Sequence, residues 1–202
     1  GAISGPSYAK DVIFQLPTSV TGSSYSEKTM HTVCQAFNTE TFRVYPNKDI
    51  RGVAFGGALK NVVAIACGVC EGLGLGLSAR AAVITRGLHE INKLATACGC
   101  KAETLYGLSG MGDLFVTCSA MTSRNFSYGY HLTQGKSHDE AKKEIGMVVE
   151  GAYTAISALQ LSQKHHIPMP ITEAVYKILK NELSPSDAVK TLMSRTIKEE
   201  HL

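Results

Sequence analysis

The sequence has no basic block, no low-complexity tract and no internal repeat. Its formal charge of +3 is spread along the chain, which gives no argument for nucleic acid and is compatible with a small anionic substrate. Hydrophobic residues make up 44% of the 202 positions, which is ordinary for a globular protein. This length suits one large domain, or one domain with part of another.

Targeting and membrane-spanning signals are also missing. The chain opens with Gly1-Ala2-Ile3-Ser4, not with a charged segment followed by an apolar one, so the sequence predicts no signal peptide. The apolar stretch from Val53 to Cys70 contains Lys60, Asn61 and several glycines, whereas a membrane span needs a longer and cleaner run. We therefore expect no membrane insertion.

The six cysteines do not have the spacing of a disulfide framework, which favours a reducing, cytoplasmic location. Cys67 and Cys70, together with Cys98 and Cys100, could be imagined as four zinc ligands. Both pairs lie in or at the ends of apolar helical segments, whereas structural zinc sites take their ligands from turns. The sequence therefore predicts core thiols and no metal site.

Residues 1–48 alternate between strands and a helix. Strands are predicted at 1–4, 17–22 and 41–45, and a helix at 25–37, whose apolar residues fall on one stripe. This alternation is typical of the end of an α/β domain.

From residue 49 to residue 202 the pattern is helical almost throughout. The helix around Lys60 is expected to end at Gly68 and the glycine-rich turn 72–76. That turn follows a helix and lacks the dinucleotide-binding spacing, so we interpret it as a connector. Further helix starts are predicted at Ser78, Ser137, Gly151, Thr172 and Ser184.

The predicted fold is therefore mainly α. An all-helical substrate-binding and catalytic domain covers residues 49–202, and the last strands and helix of a Rossmann-like α/β domain precede it at 1–48.

Lys60 is the first candidate functional residue. It lies inside a run of small and apolar residues, where a lysine is costly unless it is paired or meets a ligand. Gly56 and Gly57 share its helix face and would leave a notch beside the ammonium for a small molecule. The alternative is a lysine whose charge reaches the surface along a packing groove.

A second polar cluster surrounds Asp113. Gly110 and Gly112 allow the backbone to approach a ligand or another helix closely. If this segment is helical, Asp113 and Thr117 project from one face. The alternative is an acidic residue that stabilises the dipole of its own helix.

Arg124 follows Ser123 at a predicted helix start. Free backbone N–H groups and a forked guanidinium make such a position a good seat for phosphate. The alternative is a solvent-exposed arginine at a helix end.

Taken together, these segments resemble the NAD(P)-dependent glycerol-3-phosphate dehydrogenases of the soluble bacterial type. The matching motifs occur in order over nearly the whole chain: Ser4-Gly5-Pro6-Ser7-Tyr8-Ala9-Lys10, Gly56-Gly57-Ala58-Leu59-Lys60-Asn61-Val62, Ser78-Ala79-Arg80-Ala81, Thr85-Arg86-Gly87, Gly110-Met111-Gly112-Asp113-Leu114, Thr117-Cys118, Ser123-Arg124-Asn125, Val148-Val149-Glu150-Gly151 and Met169-Pro170-Ile171-Thr172.

The resemblance implies an oxidoreductase that interconverts dihydroxyacetone phosphate and glycerol 3-phosphate and feeds glycerophospholipid synthesis. Lys60 is then the catalytic acid/base that protonates the carbonyl oxygen. Asn61, Asp113 and Thr117 would hold Lys60 and the substrate oxygens in place.

The resemblance also implies binding residues. The substrate phosphate would be bound by Ser123, Arg124 and Asn125, and the substrate would be lined by Gly5 and Ser7. The NAD(P)H cofactor would be lined by Ala9, Arg124, Val148 and Glu150. A homodimer formed through the helical domain is a further expectation, while the choice between NADH and NADPH stays open.

One departure from the family is clear. Family members begin with a βαβ unit that carries a glycine fingerprint for the dinucleotide pyrophosphate, and the sequence contains no such motif. We therefore expect the 202 residues alone to be inactive or nearly so.

Two alternatives remain at this stage. A non-catalytic dimerisation or phosphate-binding module would keep Arg124 without requiring Lys60. A β-hydroxyacid dehydrogenase-like enzyme would also use a glycine–lysine helix, but its asparagine usually lies one helical turn beyond the lysine, whereas Asn61 is adjacent.

Overall fold

The computed structural model describes residues 1–197 and 199–200. Its strands are β1 (Ala2–Ser4), β2 (Thr18–Ser23) and β3 (Phe42–Asn47). Its α-helices are α1 (Ala9–Ile13), α2 (Glu27–Phe37), α3 (Ile50–Gly72), α4 (Gly76–Ala97), α5 (Ala102–Leu105), α6 (Asp113–Thr117), α7 (Arg124–Thr133), α8 (His138–Ile145), α9 (Glu150–His165), α10 (Pro170–Leu179) and α11 (Pro185–Met193). A π-helix, Leu108–Gly112, lies directly before α6.

The three strands form one small mixed sheet in the order β1-β2-β3. β1 pairs with β2 in antiparallel orientation, and β2 pairs with β3 in parallel with Val20 opposite Val44. Val20, Val44 and Met30 of α2 are buried. The mainly α fold and the strand–helix alternation before it are confirmed, while the division at residue 48 stays a prediction.

Helix α3 is the centre of the helical unit. Asp49 caps its start, because Oδ1 of Asp49 accepts from the backbone N–H of Gly52 at 2.9 Å. The helix is long and apolar enough to cross a membrane, but 67% of its most apolar window is buried inside the fold. That degree of burial is typical of a core helix.

Helices α3 and α7 meet backbone to backbone through two glycines. A Cβ atom on Gly68 would lie 1.9 Å from the carbonyl oxygen of Phe126, and one on Gly129 would lie 2.0 Å from that of Ile65. The predicted end of this helix at the glycine-rich turn 72–76 is confirmed, because α3 runs to Gly72. Gly68 does not end the helix, since it makes room for α7 instead. The close crossing places the first turn of α7 beside α3.

The predicted caps were only partly correct. Ser137 forms a capping box with Glu140, and Ser184 caps α11 ahead of Pro185, as predicted. Ser78 does not cap α4, which begins two residues earlier at Gly76.

Helix α10 is capped from outside its own segment. Its N-cap residue, Met169, makes no side-chain cap bond. The carboxylate of Glu90 on α4 accepts instead from the backbone N–H groups of Ile171 at 2.7 Å and Thr172 at 3.2 Å, and from the hydroxyl of Thr172 at 3.2 Å. A buried acid thus docks α10 onto α4.

All six cysteines are free thiols. Cys67, Cys70, Cys100 and Cys118 are buried, and Cys98 is half-buried against the core. Within the part of the chain that the structure describes, no group of three or more His, Cys, Asp and Glu side chains is placed to hold a metal ion.

Candidate active site

The site is built on an ion pair between Lys60 of α3 and Asp113, the first residue of α6. The Nζ atom of Lys60 lies 2.5 Å from Oδ1 of Asp113. The side chains are 18% and 7% exposed, respectively. Lys60 is thus a largely buried, paired lysine, the condition under which a core position tolerates an ammonium.

The two glycines before Lys60 admit protein groups. A Cβ atom on Gly56 would lie 2.3 Å from the carbonyl oxygen of Ser109 in the π-helix, and one on Gly57 would lie 2.9 Å from Oγ of Ser4. The predicted ligand notch at these glycines was therefore wrong, because the π-helix and β1 fill it. This close approach brings Asp113 and Ser4 to the lysine.

Asp113 has competing influences on its protonation. Burial raises the pKa of its carboxyl group, while Lys60 and hydrogen bonds from Thr117 and Ser4 act in the lowering direction. Oγ1 of Thr117 donates at 3.4 Å, and Oγ of Ser4 donates at 3.5 Å. Burial has the larger effect, so the carboxyl group holds its proton more readily than an exposed aspartic acid does.

A cavity of about 270 Å³ opens beside this pair. It is lined by Ile3, Ser4, Gly5, Ser7, Tyr8, Lys60, Asp113, Val116 and Thr117. The structure thus brings together five of the sequence-predicted residues, Gly5, Ser7, Lys60, Asp113 and Thr117. Its volume suits a small polar molecule and is too small for a whole dinucleotide.

Ser4 and Tyr8 are site residues for which the sequence predicted no role. Ser4 donates to Asp113, and Oη of Tyr8 donates to the carbonyl oxygen of Val116 at 2.8 Å. Both residues belong to the motif that begins at Ser4, which was the only available signal. Their partners are 109 and 108 positions away, beyond the reach of local pattern.

A second group of predicted residues forms a buried amide network. Nδ2 of Asn125 donates to Oδ1 of Asn61 at 3.0 Å, and Oδ1 of Asn125 accepts from the backbone N–H of Gly151 at 2.9 Å. Nδ2 of Asn61 in turn donates to Oε2 of Glu150 at 3.3 Å. Asn61 was expected to hold Lys60, but its amide bonds instead to α7 and α9.

Arg124 lies at the edge of this network. Its guanidinium donates to the carbonyl oxygen of Val148 at 3.4 Å, and Nη2 lies 3.7 Å from Oε1 of Glu150. These contacts are long, and the side chain is 40% exposed, so the guanidinium is held loosely and is open to an anion. Oγ of Ser123 accepts from the N–H of Phe126 and caps α7, so the predicted helix start is confirmed, while the phosphate contact of Ser123 stays a prediction.

Three of the four predicted cofactor positions are exposed, and Arg124 is half-buried. Val148 is 62% exposed, Glu150 is exposed, and Ala9 is exposed at the start of α1. None of them lines the cavity beside Lys60.

Fold and site together define a helical unit joined to an α/β segment, with a buried lysine–carboxylate pair beside a small polar cavity at the junction. Residues 49–190 match the family model described as the C-terminus of NAD-dependent glycerol-3-phosphate dehydrogenase. The chain belongs to this family.

Named relatives agree with this assignment. The chain is 62% identical over its whole length to glycerol-3-phosphate dehydrogenase [NAD(P)+] of Protochlamydia amoebophila, and 52% identical to that of Chlamydia pneumoniae. It spans 61% and 60% of those two proteins. A crystal structure of glycerol-3-phosphate dehydrogenase from Coxiella burnetii superposes with a TM-score of 0.92 at 44% identity, over 96% of this chain and 59% of that one.

Proposed function

We propose that this chain supplies the substrate site of an enzyme that interconverts dihydroxyacetone phosphate and glycerol 3-phosphate with NAD(P)H. The observation that carries the proposal is the Lys60–Asp113 pair, buried beside a small polar cavity. The names of the relatives support the reaction, and the cavity supports a substrate of three-carbon size.

Lys60 acts as the acid and base in this proposal. With the substrate carbonyl in the cavity, Nζ of Lys60 donates a proton to the carbonyl oxygen, and in the reverse direction it removes the proton from the hydroxyl group. Asp113 compensates the ammonium charge, and the Thr117 hydroxyl orients the Asp113 carboxylate. When bound, NAD(P)H supplies the hydride.

Arg124 is the proposed phosphate ligand. It is an arginine at the first position of α7, where backbone N–H groups and a forked guanidinium both favour a phosphate. Asn125 is buried and bonded to its neighbours, so it fixes the first turn of α7 and does not itself reach out to the substrate.

The proposed cofactor contacts are Ala9, Arg124, Val148 and Glu150. Ala9, Val148 and Glu150 are exposed, and the half-buried Arg124 contacts both Val148 and Glu150. Within the described residues the glycine-rich turn 72–76 connects two helices, α3 and α4, and the turn from β1 to α1 contains one glycine, Gly5, and not a glycine-rich dinucleotide fingerprint. Since the pyrophosphate needs such a fingerprint, we propose that the 202-residue chain alone does not turn over dihydroxyacetone phosphate.

Substituting Lys60→Ala in the complete protein tests the acid/base role. Turnover should fall by about 10²–10⁴-fold, the usual contribution of a positioned proton donor, while the circular dichroism spectrum is unchanged. Lys142→Ala on the exposed face of α8 is the matched control and should retain full activity. If this unit were instead a non-catalytic module, the complete protein would not need Lys60 for turnover. Unchanged turnover in Lys60→Ala would therefore refute the acid/base role and favour that alternative.

The cellular compartment and the binding partners are also proposals. The six free thiols support a reducing, cytoplasmic compartment. Homodimer formation through the helical unit and independence from nucleic acid and membranes stay predictions, which sedimentation of the purified protein with and without those partners would check.

A further inference from the structure

Tyr8 links two elements that line the cavity. Its backbone belongs to the segment 4–8, which starts at the last residue of β1, whereas its hydroxyl donates to the carbonyl oxygen of Val116 on α6 at 2.8 Å. The side chain is half-buried and lines the cavity beside Lys60. Tyr8 therefore ties the α/β segment to the helical unit at the site itself.

The acceptor of this bond is a carbonyl near the end of a very short helix. α6 has only five residues, and the last carbonyls of a helix lack intrahelical partners. The Val116 carbonyl also accepts a longer bond, 3.3 Å, from the N–H of Ser119. Since α6 carries both Asp113 and Thr117, the tyrosine bond helps to fix the helix that presents the carboxylate.

The donor side is also held locally. Tyr8 is the N-cap residue of α1, and its carbonyl oxygen accepts from the N–H of Val12 at 3.1 Å. The Ser7 hydroxyl donates to the carbonyl oxygen of Gly5 at 3.0 Å. The segment 4–8 is thus a braced turn with two bonds to α6, one from Tyr8 and one from Ser4.

These two bonds differ in strength. The Tyr8 bond has good length, whereas the Ser4–Asp113 bond is at the long limit of 3.5 Å. A shift of a few tenths of an ångström in the segment would therefore break the Ser4 bond and leave the Tyr8 bond intact. The reach of Ser4 to the carboxylate depends on where Tyr8 anchors the segment.

We infer that Tyr8 is a positioning residue for the proposed reaction: its hydroxyl anchors the segment 4–8 on α6, keeps Ser4 within reach of Asp113, and sets the width of the cavity for a three-carbon phosphate. The inference rests on the proposed function. The only proton of the phenol is donated to Val116, so Tyr8 acts through the backbone and is not itself a proton donor to substrate. Burial raises the pKa of Tyr8, which keeps that proton in place at neutral pH.

The variant Tyr8→Phe removes the hydroxyl and keeps the ring. Besides its bond to Val116, this hydroxyl is hydrogen-bonded to the Thr122 side chain. In the 202-residue chain, we expect the dissociation constant of glycerol 3-phosphate, measured by isothermal titration calorimetry, to rise about five-fold when this anchor is lost. Tyr25→Phe is the matched control, because Tyr25 is 80% exposed and belongs to the same α/β segment. It should bind as the wild type does.

The titration of Asp113 distinguishes the proposed positioning role of Tyr8 from a purely structural one. It is monitored by the ¹³C chemical shift of the Asp113 carboxyl group. The titratable groups facing Asp113 are Lys60, Tyr8 and Cys118. Losing the Ser4 bond removes a donor to the ionised carboxylate, so Tyr8→Phe and Ser4→Ala should both raise the pKa of Asp113. The double variant should do no more than Ser4→Ala alone, because the two changes act through one bond.

The outcomes are distinct. Wild-type affinity in Tyr8→Phe would overturn the inference, and so would an Asp113 titration that Tyr8→Phe leaves unchanged or that shifts additively in the double variant. If the wild-type chain itself fails to bind glycerol 3-phosphate, the proposed substrate site fails and the inference falls with it.

Discussion

The side-chain amide of Asn125 donates to Oδ1 of Asn61 while its own oxygen accepts from the N–H of Gly151. One buried residue of α7 therefore bonds to both α3 and α9 and fixes three helices that surround the proposed phosphate site. Neither bond can be replaced by water without opening the contact, since all three residues are buried.

Asn125→Ala should lower the free energy of unfolding by about 2 kcal/mol or more, because it leaves the N–H of Gly151 and the oxygen of Asn61 buried without these partners. Urea denaturation of the chain measures the change. Asn92→Ala is the control, since Asn92 bonds to Thr96 at the surface and its loss should cost within about 0.5 kcal/mol. Equal effects of the two variants would show that the network is not a structural element.

Arg124→Gln should weaken glycerol 3-phosphate binding by about ten-fold or more, because charge-assisted hydrogen bonds to phosphate are stronger than neutral ones. Arg124→Lys should recover only part of the affinity, since an ammonium cannot bind two phosphate oxygens in a fork. Arg51→Gln, at an exposed position of α3, provides the control. Isothermal titration calorimetry at two salt concentrations measures the affinity for glycerol 3-phosphate. Wild-type affinity in Arg124→Gln would mean that the phosphate site lies elsewhere.

Glu90 should make the stability of the chain fall as the pH rises. Burial raises its pKa to about 7, above the ordinary value of 4.5, even though Ile171, Thr172 and Arg195 act in the opposite direction. The folded state therefore binds a proton more tightly than the unfolded state does. Its contribution is fully present below about pH 4.5 and is lost as the pH passes 7, a change of about 3 kcal/mol.

Urea denaturation at pH 5 and pH 8 tests this dependence, and Glu90→Gln should flatten it. Glu140→Gln is the control, because Ser137 lowers the pKa of Glu140 and its titration falls below this range. A wild-type chain equally stable at both pH values would mean that the three hydrogen bonds outweigh burial and keep Glu90 ionised.

Local features of the fold could be predicted from the sequence. The capping residues Ser137 and Ser184 act on N–H groups three residues away, so a short pattern is enough to recognise them. The burial of the helix around Lys60 followed from its composition. The predicted cap at Ser78 was wrong because serine is only statistically preferred at helix starts. The chain turns before Ser78, where Gly74 and Gly76 adopt positive φ.

The parts that escaped prediction depend on distant partners. A glycine in a helix can leave an open notch or allow another backbone segment to pack closely. Only the position of Ser109 shows that Gly56 packs against a backbone segment. Asn61 bonds toward α7 and not toward Lys60 because of how α3 is rotated. The bonds of Ser4 and Tyr8 to α6 depend on which elements surround α3. Neither property has a local signature.

Lys60 and Asn61 are neighbours on one rigid helix, so their side chains diverge by about 100°. One faces the carboxylate and the cavity, and the other faces the amides that support Arg124. Any translation or rotation of α3 would move the proton-transfer residue and the amide that supports the anion site together. Moving the helix could therefore not change one function without disturbing the other. Adjustment of this site must therefore come from changes in the side chains packed around α3 and not from movement of the helix itself.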